Sequence, residues 1–299
     1  MGQQIPILIN AFNRPRSLEA CLDSLSHVTN PIYIYIDGPR ANSPSDLELI
    51  TDCESVARAS SLNVKLIEVS EMNLGLCQSV SKSITKILSE HTCLIVLEDD
   101  LVVSSDFVNF MERALDYFEA DKSIGSICGA NSVPVSEIEN PESPFRLSIY
   151  ADSWGWGTWG DRWEDIIFQE YDLFQKSYFP RSLTNFSIFI WRRTFRKVYN
   201  RQIDSWAYRW MWSNWKKNRL HLVSNSNFVQ NRGTGLDATH TKGLIFQKTF
   251  EKPHKNWKNE WPQPQLDAKA DLWMEKNHFR TNLSSYLASF FLRSNKDSR

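Results

Sequence analysis

Short apolar runs alternate with helix-period patterns through the first half of the chain. Ile5-Pro6-Ile7-Leu8-Ile9 reads as a strand, although Pro6 would remove one ladder hydrogen bond. Leu18, Cys21, Leu22 and Leu25 then fall on one helical face. Ile32-Tyr33-Ile34-Tyr35-Ile36 is a second strand, closed by Asp37-Gly38-Pro39. A helix is predicted to open at Ser43-Pro44, with serine capping and proline at the first helical position. Val64-Lys65-Leu66-Ile67-Glu68-Val69 is a third strand, and Leu76, Val80, Ile84, Ile87 and Leu88 mark the next helix. Leu94-Ile95-Val96-Leu97 is an uninterrupted apolar run, the pattern of a strand covered on both faces. Phe107, Phe110, Met111, Ala114, Leu115 and Phe118 then line another helix. This β-α-β-α-β-α-β-α order predicts an α/β fold with a doubly wound, mostly parallel sheet.

The fourth strand runs straight into Glu98-Asp99-Asp100, and Leu101-Val102-Val103 follows. Three adjacent carboxylates repel one another and resist desolvation unless a positive charge is near. A divalent cation held by oxygen ligands meets that need, and ligands of open α/β sheets bind at the carboxyl ends of strands, where this triad falls. The plainer alternative is an acidic strand end ahead of a helix, with Ser104, Ser105 and Asp106 as capping candidates.

Composition shifts near residue 150. All twelve tryptophans lie between Trp154 and Trp273. The chain therefore divides into residues 1–150, expected to carry the ligand-binding strand ends, and a Trp-rich half, 151–299, packed with it as one unit. With 299 residues a large core is available. A net charge of −1 argues against nucleic acid as a partner. Neither a spanning apolar run nor a signal-peptide layout is evident, so a cytoplasmic protein is expected. The apolar stretch Tyr286-Leu287-Ala288-Ser289-Phe290-Phe291-Leu292-Arg293 is either a packed helix or a peripheral contact with the inner face of a membrane. Five cysteines without a CxxC pair read as reduced core thiols.

Other ligand-gripping candidates sit at strand ends of the first half: Asn10-Ala11-Phe12-Asn13-Arg14-Pro15, Asp37-Gly38-Pro39-Arg40 and Asn73-Leu74-Gly75-Leu76. A carboxylate such as Asp37 accepts from a base N–H or a ribose hydroxyl, and glycine turns admit close backbone approach. Neither GxGxxG nor GxxxxGK[ST] occurs, which disfavours dinucleotide-dependent dehydrogenases and P-loop nucleotidases.

Together, Pro6-Ile7-Leu8-Ile9-Asn10-Ala11-Phe12-Asn13-Arg14-Pro15, Tyr35-Ile36-Asp37-Gly38, Asn73-Leu74-Gly75-Leu76 and Glu98-Asp99-Asp100-Leu101 resemble a glycosyltransferase of the GT-A fold. The chain is similar to bacterial family 2 enzymes and to the N-acetylglucosaminyltransferase I group, whose metal motif is Glu-Asp-Asp. The resemblance covers about the first 130 residues. It implies a nucleotide-sugar donor, with UDP the expected nucleotide, and Mn²⁺ or Mg²⁺ as cofactor. Asp100 would be the direct metal ligand, and Glu98 and Asp99 would face ribose, sugar or metal-bound water. Asp37 would meet the base, and Asn10, Phe12 and Arg14 would line the nucleotide pocket with Asn73 and Gly75. A later histidine completes the metal site in such enzymes. His240, in Gly233-Thr234-Gly235-Leu236-Asp237-Ala238-Thr239-His240, is the candidate, with an exposed loop histidine as the alternative.

The acceptor, a glycan or lipid-linked saccharide of bacterial surface polysaccharide synthesis, is expected at the second half. Inverting transfer needs a base for the acceptor hydroxyl. Asp204, heading Ser205-Trp206-Ala207-Tyr208, resembles the catalytic aspartate of related transferases, its alternative being a plain helix cap; Asp152 is the runner-up. Trp154, Trp156 and Trp206 are the candidates for stacking on sugar, although most of the tryptophans must be core. Two other readings compete: a sugar-nucleotide pyrophosphorylase, disfavoured because the Asn10–Asn13 turn lacks glycine, and a non-catalytic carbohydrate-binding protein derived from a transferase.

Overall fold

The computed structural model describes residues 4–163, 175–233, 249–251 and 261–284. In chain order the elements are β1 (Ile7–Ala11), α1 (Pro15–Ser24), β2 (Ile32–Ile36), α2 (Pro44–Ala59), β3 (Val64–Val69), α3 (Leu76–Leu88), β4 (Cys93–Glu98), β5 (Leu101–Val103), α4 (Phe107–Tyr117) and β6 (Ile124–Cys128). There follow β7 (Phe145–Ser148), β8 (Trp156–Trp159), α5 (Gly160–Trp163), α6 (Asn185–Tyr199), α7 (Trp206–Lys216), β9 (Leu220–Ser224), β10 (Val229–Asn231) and α8 (Ala268–Trp273). A π-helical turn, Met274–His278, extends α8.

The architecture is α/β, with a mixed, mostly parallel sheet. Eight strands run in the order β3-β2-β1-β4-β8-β6-β9-β7. β8 pairs antiparallel with both β4 and β6, and β7 antiparallel with β9; the other pairings are parallel. The chain winds outward from β1 through β2 to β3, then returns to place β4 on the other side of β1. That reversal makes the β1/β4 boundary a topological switch point, and Asn10 and Glu98 are its register partners. Pro6 lies just before β1, so its missing N–H falls outside the strand, while its carbonyl accepts from Ile95 N.

Alternation along the strands feeds two cores. Ile7, Ile9, Ile32, Ile34, Ile36, Ile95 and Leu97 meet α1, α2 and α4 on one face. Leu8, Tyr35, Leu94 and Val96 meet α3 and the indoles of Trp156, Trp163, Trp206 and Trp210 on the other. A third cluster joins α6, α7 and α8 through Trp191, Phe195, Trp212 and Trp215. The predicted Trp-rich half is thus chiefly a packing device: Trp156 lies stacked on Trp206, centroids 5.0 Å apart. All five cysteines are free thiols, and burial holds Cys21, Cys53 and Cys128 well above the ordinary thiol range. Among the described residues no helix is long and apolar enough to cross a membrane. The C-terminal stretch 286–293 lies outside the described residues.

Candidate active site at the β1/β4 switch point

Five apolar residues carry β4 through the core and end it at Glu98, and β5 begins at Leu101, so Asp99 and Asp100 form the connecting turn. β5 is held by an antiparallel partner, β10, and Arg232 N donates to the Asp100 carbonyl at 2.8 Å. The turn is therefore fixed from two sides. Arg14, at the entrance to α1, spans both acids: Nη1 donates to Asp100 Oδ2 at 2.8 Å and Nη2 to Asp99 Oδ1. Phe12 N donates to Asp99 Oδ2 at 3.2 Å. Asp99 is thereby filled at both oxygens. Asp100 is not, for its Oδ1 is buried and has no hydrogen-bond partner among the described residues.

Burial pushes the Asp99 carboxyl up to about 6, the Asp100 charge adding to this and the Arg14 guanidinium opposing it. Glu98 is raised too, first by burial and then by Asp100 and Asp99, while Arg14 and a hydrogen bond from the Trp206 side chain favour its charged form. Trp206 is the first residue of α7, so this contact ties that helix to the strand end. On β1, Asn10 uses Oδ1 to accept from Ser83 Oγ at 2.6 Å, and its buried Nδ2 has no partner among the described residues. An unpaired buried acceptor and an unpaired buried donor thus sit at the ends of adjacent strands. Each is costly unless a ligand meets it.

Asp37 behaves differently. Its Oδ1 accepts from Gly38 N and Leu74 N, and its Oδ2 from Gly75 N and Asn73 Nδ2. Four donors fill this carboxylate, so it organises the Asn73–Gly75 turn and has no lone pair to offer a base. Burial raises its carboxyl while the three amides oppose the shift. The turn requires both glycines: Gly75 has φ 79°, and a Cβ on Gly38 would collide with the Met72 carbonyl. Phe12 carries the Arg40 guanidinium over its ring, 5.2 Å from the centroid, and Arg40 in turn pairs with buried Asp46 at 2.7 Å.

Asp204 lies at the same rim but does not cap the helix it precedes. Ser205 caps α7 by accepting from Tyr208 N. Asp204 Oδ1 accepts instead from Cys77 N at 3.1 Å, in the first turn of α3, and Oδ2 stands over Gly75. Its side chain is exposed. Asp152 accepts from Trp154 N at 3.1 Å and from Ser132 Oγ at 3.4 Å; burial raises it, with the His278 imidazole drawing it back. Because β8 runs antiparallel beside β4, residues 152–155 precede Trp156 beyond the carboxyl end of β4. Asp152 therefore faces the triad's side of the sheet.

Two of the three proposed sugar-stacking tryptophans are corrected. Trp156 and Trp206 are 1% and 2% exposed, since β8 is an interior strand and its indole is covered by α7. Trp154 alone keeps part of its surface. His240 lies outside the described residues. Gly233, which leads toward it, touches the site, as a Cβ there would collide with Asp100 Oδ2 and stand 3.0 Å from Arg14 Nη1. The Arg14 clamp, the Trp206–Glu98 contact and the His278 neighbour of Asp152 had no local sequence signal, because each joins distant segments. Only the bare presence of Arg14 beside β1 hinted at the first.

Among the described residues no three His, Cys, Asp or Glu side chains converge to hold a metal. The orphaned Asp100 Oδ1 does fit a single carboxylate ligand to a cation whose other ligands come from elsewhere. No protein-family model matches the chain, and the curated proteins contain no match. Among solved structures, the chain is similar to a mannose-1-phosphate geranyltransferase from Thermus thermophilus, with 13% identity, a TM-score of 0.35 and coverage of 75% of this chain and 74% of that one. A likeness so distant says nothing about activity.

Proposed function

We propose that this protein is an inverting glycosyltransferase that moves a sugar from a nucleoside-diphosphate donor, UDP-linked by preference, to a hydroxyl of a glycan or lipid-linked acceptor. The observation that carries the reading is that Asp100 Oδ1 and Asn10 Nδ2, both buried near the switch point of the sheet, have no hydrogen-bond partner among the described residues. In this reading Asp100 would hold Mn²⁺ or Mg²⁺, and His240 would be a further ligand. The ion supplies charge stabilisation of the departing diphosphate.

The chain's own residues have separate tasks. Arg14 fixes the rotamer of Asp100 and screens it from Asp99. Asn10 Nδ2 donates to the nucleotide, and Glu98, held by Trp206, faces the ribose or sugar. Asp37 shapes the Asn73–Gly75 wall without touching the base. Asp204 removes the acceptor proton: it is exposed at the rim, two residues before the indole that contacts Glu98, and Asp152 is the alternative base. Replacement by Asn isolates this role, because an amide oxygen still accepts from Cys77 N. Asp204→Asn is expected to keep the melting temperature and nucleotide binding while transfer falls about a thousandfold. A near-normal rate would move the assignment to Asp152.

The donor class is read from thermal stability with UDP, GDP, dTDP and CMP, each with Mn²⁺ or EDTA. Native-state ligands raise the melting temperature by mass action. Stabilisation by one nucleoside diphosphate with metal alone supports the reading, and stabilisation by none overturns it. Release of pyrophosphate from a nucleoside triphosphate and a sugar phosphate would favour the pyrophosphorylase instead.

A further inference from the structure

Eleven of the chain's 34 Lys and Arg residues lie between Lys176 and Arg219, where Asp204 is the single acid of the chain's 35. A protein of net charge −1 thus concentrates its positive charge on α6, α7 and their flanks. Helix α6 makes the concentration directional. Its buried stripe is Ser187, Ile188, Trp191, Phe195 and Val198. Phe189, Arg193 and Lys197 follow one another at i, i+4, i+8 on the opposite side, and all three are exposed. Phe189 is 52% exposed, unusual for a ring of that size, and the Arg193 guanidinium carbon lies 5.8 Å from its centroid. Phe186 is next to Phe189, with centroids 6.4 Å apart, and Tyr199 and Arg201 continue the exposed edge at the end of the helix.

We propose that this face of α6 docks on an anionic lipid bilayer. The occupant follows from charge complementarity and from the kind of apolar residue present. Cations on the polar side of a helix meet lipid phosphates, and aromatic rings between them enter the headgroup boundary. The helix is anchored for such a task, because Thr184 caps it through Ser187 N and its buried aromatic and aliphatic positions fix it to α7 and α8. At 15 residues it lies about 22 Å along the surface, long enough for Phe189, Arg193 and Lys197 to engage together. Nucleic acid is the poorer fit, as the remaining 23 basic residues are outnumbered by 34 acids across the rest of the chain.

The geometry also states why docking here is useful. A six-residue connection leads from the end of α6 to Trp206, whose indole meets Glu98. Docking by α6 thus sets the rim that carries Asp204 at the membrane surface, where a lipid-linked acceptor presents its hydroxyl. Binding itself does not depend on glycosyl transfer, so the two ideas fail separately.

The test is flotation of the full chain with vesicles of phosphatidylcholine alone or with about one third phosphatidylglycerol. The wild type is expected to float with the anionic vesicles, to stay behind with neutral ones, and to be released at about 0.5 M salt. Arg193→Glu with Lys197→Glu is expected to weaken partitioning about tenfold or more, and Phe189→Ser severalfold. Melting temperature and nucleotide-induced stabilisation are read on the same samples, and Arg193→Gln with Lys197→Gln replaces the reversal if it folds poorly. Equal flotation of wild type and variants, or no flotation of the wild type, overturns the proposal. So does competition for the face by RNA or by a soluble acidic polysaccharide when neither vesicle type is bound.

Discussion

Asp37 and Asp100 follow two strands that flank β1, and both are largely buried, yet their carboxylates have different amounts left to give. At Asp37 three backbone amides and one side-chain amide occupy both oxygens. At Asp100 a guanidinium occupies one oxygen and the other has no hydrogen-bond partner among the described residues. A residue that sequence reading treats as a ligand contact because it is acidic and at a strand end is, in one case, an internal organiser. In the other it is a group with unspent capacity. The difference lies in whether the following turn folds back on the carboxylate. Asn73–Gly75 does so at Asp37, whereas at Asp100 the chain leaves along β5 and the carboxylate meets Arg14 and the backbone of Gly233.

Substitutions at the two positions sharpen this contrast. Asp100→Asn is expected to cost little stability but to reduce metal-dependent nucleotide affinity about a hundredfold, measured by Mn²⁺ titration and by loss of thermal stabilisation. If affinity is unchanged, the orphan oxygen is not the cation's seat and the comparison fails. Arg14→Ala is next. It leaves Asp99 and Asp100 facing each other without a counter-charge, a loss of about 3 kcal/mol in denaturant unfolding near pH 8. The sign with pH follows from Asp99, whose carboxyl is raised from its ordinary 3.8 to about 6. The native state holds that proton more tightly than the unfolded chain, so its stabilisation is complete below the ordinary value and is lost as pH rises through 6. The variant, with its acids raised further, should therefore narrow its deficit as pH falls from about 8 to about 5. A deficit independent of pH would show that Arg14 acts through packing.

Asp37→Asn inverts the expectation for Asp100. An amide nitrogen would confront a donor at one of the two oxygen positions, and about 2 kcal/mol of stability should go while metal binding persists. Should the Asp37→Asn variant instead keep stability and lose nucleotide affinity, the base-contact reading of this residue returns. The smallest effect belongs to Trp206→Phe. The stacked ring against Trp156 is largely kept and the N–H to Glu98 removed, for about 1 kcal/mol and a modest fall in donor affinity. A large loss of stability would mean that the indole's packing dominates.

Much of the fold was legible because the first half repeats one pattern. Ile32–Ile36 and Val64–Val69 were read with their observed bounds, since β-branched runs closed by turn residues leave little freedom of register. β8, Trp156–Trp159, gave no such signal: Trp-Gly-Thr-Trp is short, contains glycine and is bounded by more glycine. β5 and β10 are three residues each and exist by pairing with one another across a long stretch of sequence. In the site, the acids were visible as residue types. Their states were not, because the Arg14 bridge, the four donors on Asp37 and the Cys77 amide on Asp204 are consequences of the fold's closure. The tryptophans misled in the opposite direction, since an indole suited to sugar is equally suited to a core and burial alone decides between them.

The insertion of β8 between β4 and β6 has a consequence for how the chain is made. Until residues 156–159 leave the ribosome, β4 and β6 cannot complete the sheet, and both present bare hydrogen-bonding edges. The nascent first half is therefore sticky for as long as its central strand is missing. A fragment truncated at residue 150 would inherit that exposure permanently, so expression of residues 1–150 alone should yield aggregate, whereas a break placed in the exposed turn at Ala41–Asn42 would spare the sheet centre.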